Sequence, residues 1–124
     1  MKRILVVEDV ELNRDLIVQL LEDRYEILTA SDGAEGLEMA RTTRPHLILM
    51  DLALPVMDGW EVARRIKADE ALRAIPIIAL SAHAMKGDEE RARQSGCDDY
   101  LPKPLDEDLL FAKLTSFLDD SAGA

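Results

Sequence analysis

A chain of 124 residues, 48% of them hydrophobic, is the size of one domain with a single core. A net charge of -10 and scattered basic residues argue against a surface that neutralises phosphates, so the chain itself is not expected to bind nucleic acid. The lone cysteine, Cys97, cannot close an internal disulfide, and no apolar run reaches the roughly 18 residues of a membrane span, so a soluble, cytoplasmic protein is expected.

The amino terminus runs directly into Ile4-Leu5-Val6-Val7, too short for the core of a signal peptide. This unbroken apolar run reads as a strand covered on both faces, and it ends in two acids, Glu8 and Asp9. Leu12, Leu16, Leu20 and Leu21 then recur at helical spacing, with Glu11, Arg14, Asp15 and Glu22 on other faces. Tyr25 to Ala30 reads as a short strand. Ser31 or Asp32 can cap the next helix, with Glu35 at capping distance from Asp32 and a stripe of Ala34, Leu37 and Ala40 ending before Pro45. His46, at a strand entry with no acid or cysteine nearby, reads as structural.

The strand from His46 to Asp51 is again continuously apolar and stops at a carboxylate. Pro55 and Gly59 bend the loop that follows. Asp58 can cap a helix with Glu61 at the third position, and Val62, Ala63 and Ile66 face inward. Trp60 is expected to pack against that loop. Ile77 to Ser81 reads as a strand ending in a hydroxyl. Asp88 to Ser95 is a polar helix stopped by Gly96, with Cys97 as a small apolar filler near its end. Tyr100-Leu101 centres a last strand, followed by Pro102-Lys103-Pro104. Asp106 caps a final helix buried through Leu110, Leu114, Phe117 and Leu118, with Leu105 and Leu110 as a staple. Five strand-then-helix units predict a parallel sheet with helices on both faces.

Ligands in open α/β sheets bind at the carboxyl ends of the strands. That rim would hold Glu8, Asp9, Asp51, Ser81 and Lys103. Clustered carboxylates suit a hard divalent ion, a lysine and a metal can together neutralise a transferring phosphoryl group, and a carboxylate can be the nucleophile. Asp51, at the tip of the central strand, is the natural acceptor.

On Glu8-Asp9, the run Leu49-Met50-Asp51-Leu52-Ala53-Leu54-Pro55-Val56-Met57-Asp58-Gly59, the strand end Leu80-Ser81-Ala82, and Tyr100-Leu101-Pro102-Lys103-Pro104, the chain resembles a response-regulator receiver domain of two-component signalling. The likeness runs from Ile4 to about Leu118. It implies a flavodoxin-like (βα)5 fold, a doubly wound parallel five-stranded sheet in the order 2-1-3-4-5. The receiver would cover residues 1–119, with 120–124 a short disordered tail. By the resemblance Asp51 accepts a phosphoryl group from a phosphohistidine on a histidine kinase or histidine phosphotransferase. Glu8, Asp9, Asp51 and the backbone carbonyl of Ala53 would hold Mg²⁺ or Mn²⁺. Lys103 would pair with a phosphoryl oxygen, Ser81 would swing toward it, and Tyr100 would turn inward. Lys103-Pro104 would be a cis peptide.

The resemblance also implies an output through the fourth helix, fifth strand and fifth helix, read by a downstream protein. With the chain ending after its fifth helix, signalling by docking is expected. Two positions depart from the common pattern: Ala53, two after the acceptor, has no polar side chain, and His83 lies two after Ser81. Both bear on the access of a hydrolytic water, so the lifetime of the adduct is open. The segment from Ala84 to Arg91 is similar to DivK-type single-domain regulators, and receivers of hybrid kinases carry similar text. Leu12, Asn13 and Leu105 are candidate docking positions for the donor, with core packing the alternative for both leucines and favoured for Leu12. Two rivals are a haloacid-dehalogenase-type phosphatase, disfavoured because Ala53 stands where its second aspartate is needed, and a receiver fold that binds without phosphorylation.

Overall fold

The computed structural model describes residues 1–81 and 88–118, with Asp88 and Glu89 as backbone only. His83, the first half of the Ala84 to Arg91 segment and the carboxyl-terminal tail lie outside the described residues. Five strands and five helices alternate: β1 (Arg3–Val7), α1 (Glu11–Leu21), β2 (Glu26–Ala30), α2 (Gly33–Thr43), β3 (Leu47–Asp51), α3 (Gly59–Ala68), β4 (Ile77–Ser81), α4 (Asp88–Gln94), β5 (Asp99–Pro102) and α5 (Glu107–Leu118). All strand pairs are parallel, in the order β2-β1-β3-β4-β5. The flavodoxin-like expectation is therefore met, and β3 sits at the centre.

Every residue of β3 and of β4 is buried, because helices cover both faces. On one face Leu5, Val7, Ile48, Met50 and Ile77 pack with Leu37, Val62 and Ile66 from α2 and α3 and Ala92 from α4. On the other, Ile4, Val6, Leu49, Ile78 and Leu80 pack with Ile17 and Leu21 from α1 and Leu110, Leu114 and Leu118 from α5. Each fully buried Leu or Ile contributes about 1.5–3 kcal/mol, so the alternating sides of these strands hold both helix layers in place. No described helix is long and apolar enough to cross a membrane.

The caps form as the sequence suggests. Asp32 accepts from the Glu35 N–H at 2.8 Å, Asp58 from the Glu61 N–H at 2.9 Å, and Asp106 from the Leu109 N–H at 3.1 Å. Gly96 closes α4 with φ at 105°, a left-handed conformation that favours glycine. His46 accepts the Arg3 N–H at Nδ1, a structural role.

Four apolar residues expected to face the core do not. α1 buries Ile17 and Leu21, leaving Leu12 68% and Leu16 51% exposed, because its broad apolar arc meets the sheet along one edge only. Phe117 is 37% exposed, since Leu110, Leu114 and Leu118 already fill the α5 contact. Ala34 also faces outward; Gly33 and Gly36 take the buried side of α2 instead.

Candidate functional site

Glu8, Asp9, Asp51 and Lys103 come from three separate strand ends and meet at the carboxyl rim of the sheet. The three acids each offer an oxygen, and these oxygens lie within 4.8 Å of one another; Glu8 and Asp51 are buried and Asp9 is exposed. Lys103 Nζ donates to Glu8 Oε1 at 2.6 Å and to Asp51 Oδ2 at 3.0 Å. These contacts span 95 and 52 residues of sequence, so only the parallel topology brings the groups together. The other Asp51 oxygen, Oδ1, accepts from the Ala53 N–H at 3.1 Å, which fixes the plane of the carboxylate.

Backbone packing holds this arrangement. Lys103 N–H donates to the Ser81 carbonyl at 2.8 Å, and the Lys103-Pro104 peptide is cis. Gly59 N–H bonds the Leu52 carbonyl, and a Cβ on Gly59 would lie 2.5 Å from the Asp51 carbonyl oxygen. Only glycine lets α3 begin so close to the acidic strand end. The loop between them turns through Val56 at φ 68°, where Met57 N–H bonds the Pro55 carbonyl at 2.7 Å. That bond closes a γ-turn of the strained kind, on a β-branched residue.

Burial works against the charge on Lys103, but the hydrogen bonds to Glu8 and Asp51, with the attraction of both carboxylates, outweigh it, so the ammonium is held above its ordinary pKa. The lysine is therefore charged throughout the neutral range. Ser81 is buried at the end of β4, and Tyr100 is half-buried against the α2-α3-α4 side of the core. Ala53 is exposed.

A family model for the response regulator receiver domain matches residues 4–115. The chain belongs to the response regulator receiver domain family. It is 46% identical over 121 residues to the polar-differentiation response regulator DivK of Brucella anthropi, covering 97% of this chain and 98% of that protein. The receiver domain of the sensor histidine kinase PA1611 from Pseudomonas aeruginosa, solved with a magnesium ion coordinated in its active-site cleft, is 39% identical with a TM-score of 0.87, over 94% of this chain and 96% of that one. A chain in the co-crystal of the Saccharomyces cerevisiae phosphotransfer protein Ypd1 with the receiver domain of Ssk1 is 31% identical with a TM-score of 0.87, over 94% and 88%. This receiver is thus a DivK-like component of two-component signalling, phosphorylated by a histidine kinase, and not a conventional enzyme.

Its acidic cluster fits magnesium: an all-oxygen set of three converging carboxylates is the donor chemistry a small hard cation takes, with water completing the shell. Sequence reasoning found Glu8, Asp9, Asp51 and Lys103, and the receiver brings all four together. It missed two features. Leu16, read as core, instead lines a groove of about 850 Å³ with Asn13, Leu20, Pro104 and Leu105 that opens onto Glu8 and Lys103. Arg14, read as lying on another face of α1, reaches back so that Nη1 donates to the Glu8 carbonyl at 3.0 Å. Its one legible signal is a cation in the first turn of a helix, where the macrodipole disfavours it.

Proposed function

We propose that this receiver accepts a phosphoryl group on Asp51 from the phosphohistidine of a histidine kinase or histidine phosphotransferase, and signals by altered docking to a protein target. The observation that carries this reading is the convergence of Lys103 and Glu8 on the buried Asp51 carboxylate. Asp51 is held by the Ala53 N–H on one oxygen and by Lys103 on the other, so it meets an incoming phosphorus atom in a fixed orientation. The P–N bond of the donor breaks as an O–P bond forms to Asp51, and the electron pair stays with the imidazole nitrogen. Lys103 exchanges its Asp51 contact for a phosphoryl oxygen and offsets the charge that arrives. Ser81 supplies a hydroxyl to another phosphoryl oxygen, and Tyr100 turns further inward. Glu8, Asp9, Asp51 and the Ala53 carbonyl would hold Mg²⁺ or Mn²⁺, which would supply charge neutralisation for the transferring phosphoryl group.

The donor docks along α1, where Leu12 and Leu16 are exposed and the groove with Asn13 and Leu105 leads to the acid site. The output face is α4-β5-α5. Ala92 is the one buried side chain of α4 among the described residues, so the helix is lightly anchored. The protein works in the cytoplasm, apart from membranes and nucleic acid, as a receiver over residues 1–119 with a tail at 120–124. Labelled acetyl phosphate with Mg²⁺ tests the acceptor. Stable label on the wild type and none on Asp51→Asn is expected. Equal labelling of the two proteins would move the acceptor elsewhere, and no labelling of the wild type by acetyl phosphate or a phosphorylated histidine donor would leave an inert binding module.

A further inference from the structure

We propose that Arg14 is a positioning residue for the metal-binding acids, acting through the peptide that joins Glu8 to Asp9. The inference rests on the reading of those two acids as metal ligands. Arg14 lies in the first turn of α1, half-buried, with its own N–H bonded to the Val10 carbonyl at 2.9 Å. Its guanidinium makes one hydrogen bond, to the Glu8 carbonyl oxygen at 3.0 Å, and no ion pair among the described residues. A cation at a helix N-terminus opposes the macrodipole. Neither the helix nor an acidic partner therefore accounts for where the guanidinium sits; the carbonyl does.

That carbonyl belongs to a planar unit whose other end is the Asp9 backbone. The remaining polar atoms of Glu8 are already held: its N–H by the Ala30 carbonyl at 3.0 Å, Oε1 by Lys103 at 2.6 Å, and Oε2 by the Val10 N–H at 3.4 Å. Asp9 has no such support. It is exposed, and its carboxylate accepts no hydrogen bond from the described residues. Its direction is consequently set by the orientation of the Glu8–Asp9 peptide, which Arg14 grips from the helix side. The arginine thus plays for a backbone-borne ligand the part that an outer-shell partner plays for a ligating side chain.

The sign of the effect separates positioning from bulk electrostatics. A guanidinium near the pocket repels a dication, so if Arg14 acted only as a charge its removal would tighten Mg²⁺ binding. If it aims Asp9, removal weakens binding. The experiment measures Mg²⁺ affinity of the full chain by calorimetry, and separately the Mg²⁺-dependent increment in urea stability, which cancels any general loss of fold. For Arg14→Met the dissociation constant is expected to rise about tenfold, the lower end for orienting partners of metal ligands. For Arg14→Lys, which keeps a donor able to reach the carbonyl, it is expected to stay within about threefold of wild type. Unchanged or tighter binding in Arg14→Met, or an equal loss in both variants, overturns the proposal. A wild type that binds no Mg²⁺ overturns the metal reading beneath it as well.

Discussion

Replacing Asp9 by Asn is expected to make the metal-free receiver more stable. The three carboxylates offer oxygens within 4.8 Å of one another, and a single ammonium, Lys103, bridges only two of them. Asp9 is exposed, so its repulsions are close to the solvent limit: at 4.8 Å each like-charge pair costs about 0.9 kcal/mol in water, against about 3.5 kcal/mol at an effective dielectric of 20. Two such pairs give about 1.7 kcal/mol, and the attraction of Lys103 for Asp9 offsets part of it. The net gain on neutralising Asp9 is therefore about 1 kcal/mol, or about 3–5 °C in melting temperature for a chain of this size. Mg²⁺ reverses the ranking. At a hundred times its dissociation constant it stabilises the wild type by about 2.7 kcal/mol, and the variant, short of one charged ligand, gains less at the same concentration. Urea denaturation in chelator and in Mg²⁺ reads both effects. An Asn variant weaker than wild type in chelator, or one with an undiminished Mg²⁺ gain, would refute the electrostatic account.

Burial first, and Asp98 second, push the Cys97 thiol up from 9.0 to about 12, while Lys67 pulls weakly the other way. Between those values the unfolded chain releases a proton that the native state keeps, so stability falls as pH rises. From pH 9 to 10.5 the wild type is expected to lose about 1.5 kcal/mol more than Cys97→Ala in urea titrations; the loss from Lys103, whose raised pKa also favours the native state only below it, is common to both proteins and cancels. Parallel curves would contradict this. Val56→Asn is expected to stabilise the chain by about 1 kcal/mol, because Asn tolerates the left-handed backbone that a β-branched residue resists, and a lower urea midpoint would speak against strain there. Gly59→Ala is expected to cost about 1–3 kcal/mol by overpacking against the Asp51 carbonyl and Leu52, and to slow phosphoryl uptake from acetyl phosphate; unaltered uptake would mean that the close approach does not place Asp51.

The strands and the acid site were legible because their signals are local. Leu47 to Asp51 is an unbroken apolar run ending in a carboxylate, and nothing in tertiary packing competes with that reading. The contact between Lys103 and Glu8 is not local, yet it follows once both are assigned to the carboxyl ends of parallel strands. The strand order was different, since spacing does not say which strand neighbours which; the family resemblance supplied it. α1 shows where periodicity fails. Leu12, Leu16 and Leu20 advance by 40° per step around the helix, and Ile17 and Leu21 continue the arc, so several faces are equally apolar. Which edge meets the sheet depends on the tilt of the helix against β1 and β2, and that choice left Leu12 and Leu16 outside, with Leu16 bordering the groove.

The charge count of the pocket bears on the proposed output through α4. Three acids and one lysine leave a net charge of -2, and a dication brings it to zero. In the proposed reaction Asp51 exchanges one negative charge for the nearly two of a phosphoryl group, so the balance is lost again and further donors must move in. Lys103 is bonded through its backbone to Ser81, which ties the end of β5 to the end of β4 at the same rim. The opposite end of the sheet is pinned. Lys67 Nζ bonds the Arg73 and Ile75 carbonyls and Asp98, the Asp98 N–H bonds the Ile77 carbonyl, and Cys97 is buried beside them. α4 leads into that anchored corner from its lightly buried body, while Arg91 on it stacks over Trp60 at 4.4 Å, one residue beyond the Gly59 that touches the Asp51 strand end. In the proposed switch a rearrangement at the rim therefore meets a helix anchored at its carboxyl end, where Ala92 is its one buried side chain among the described residues and Arg91 stacks over Trp60.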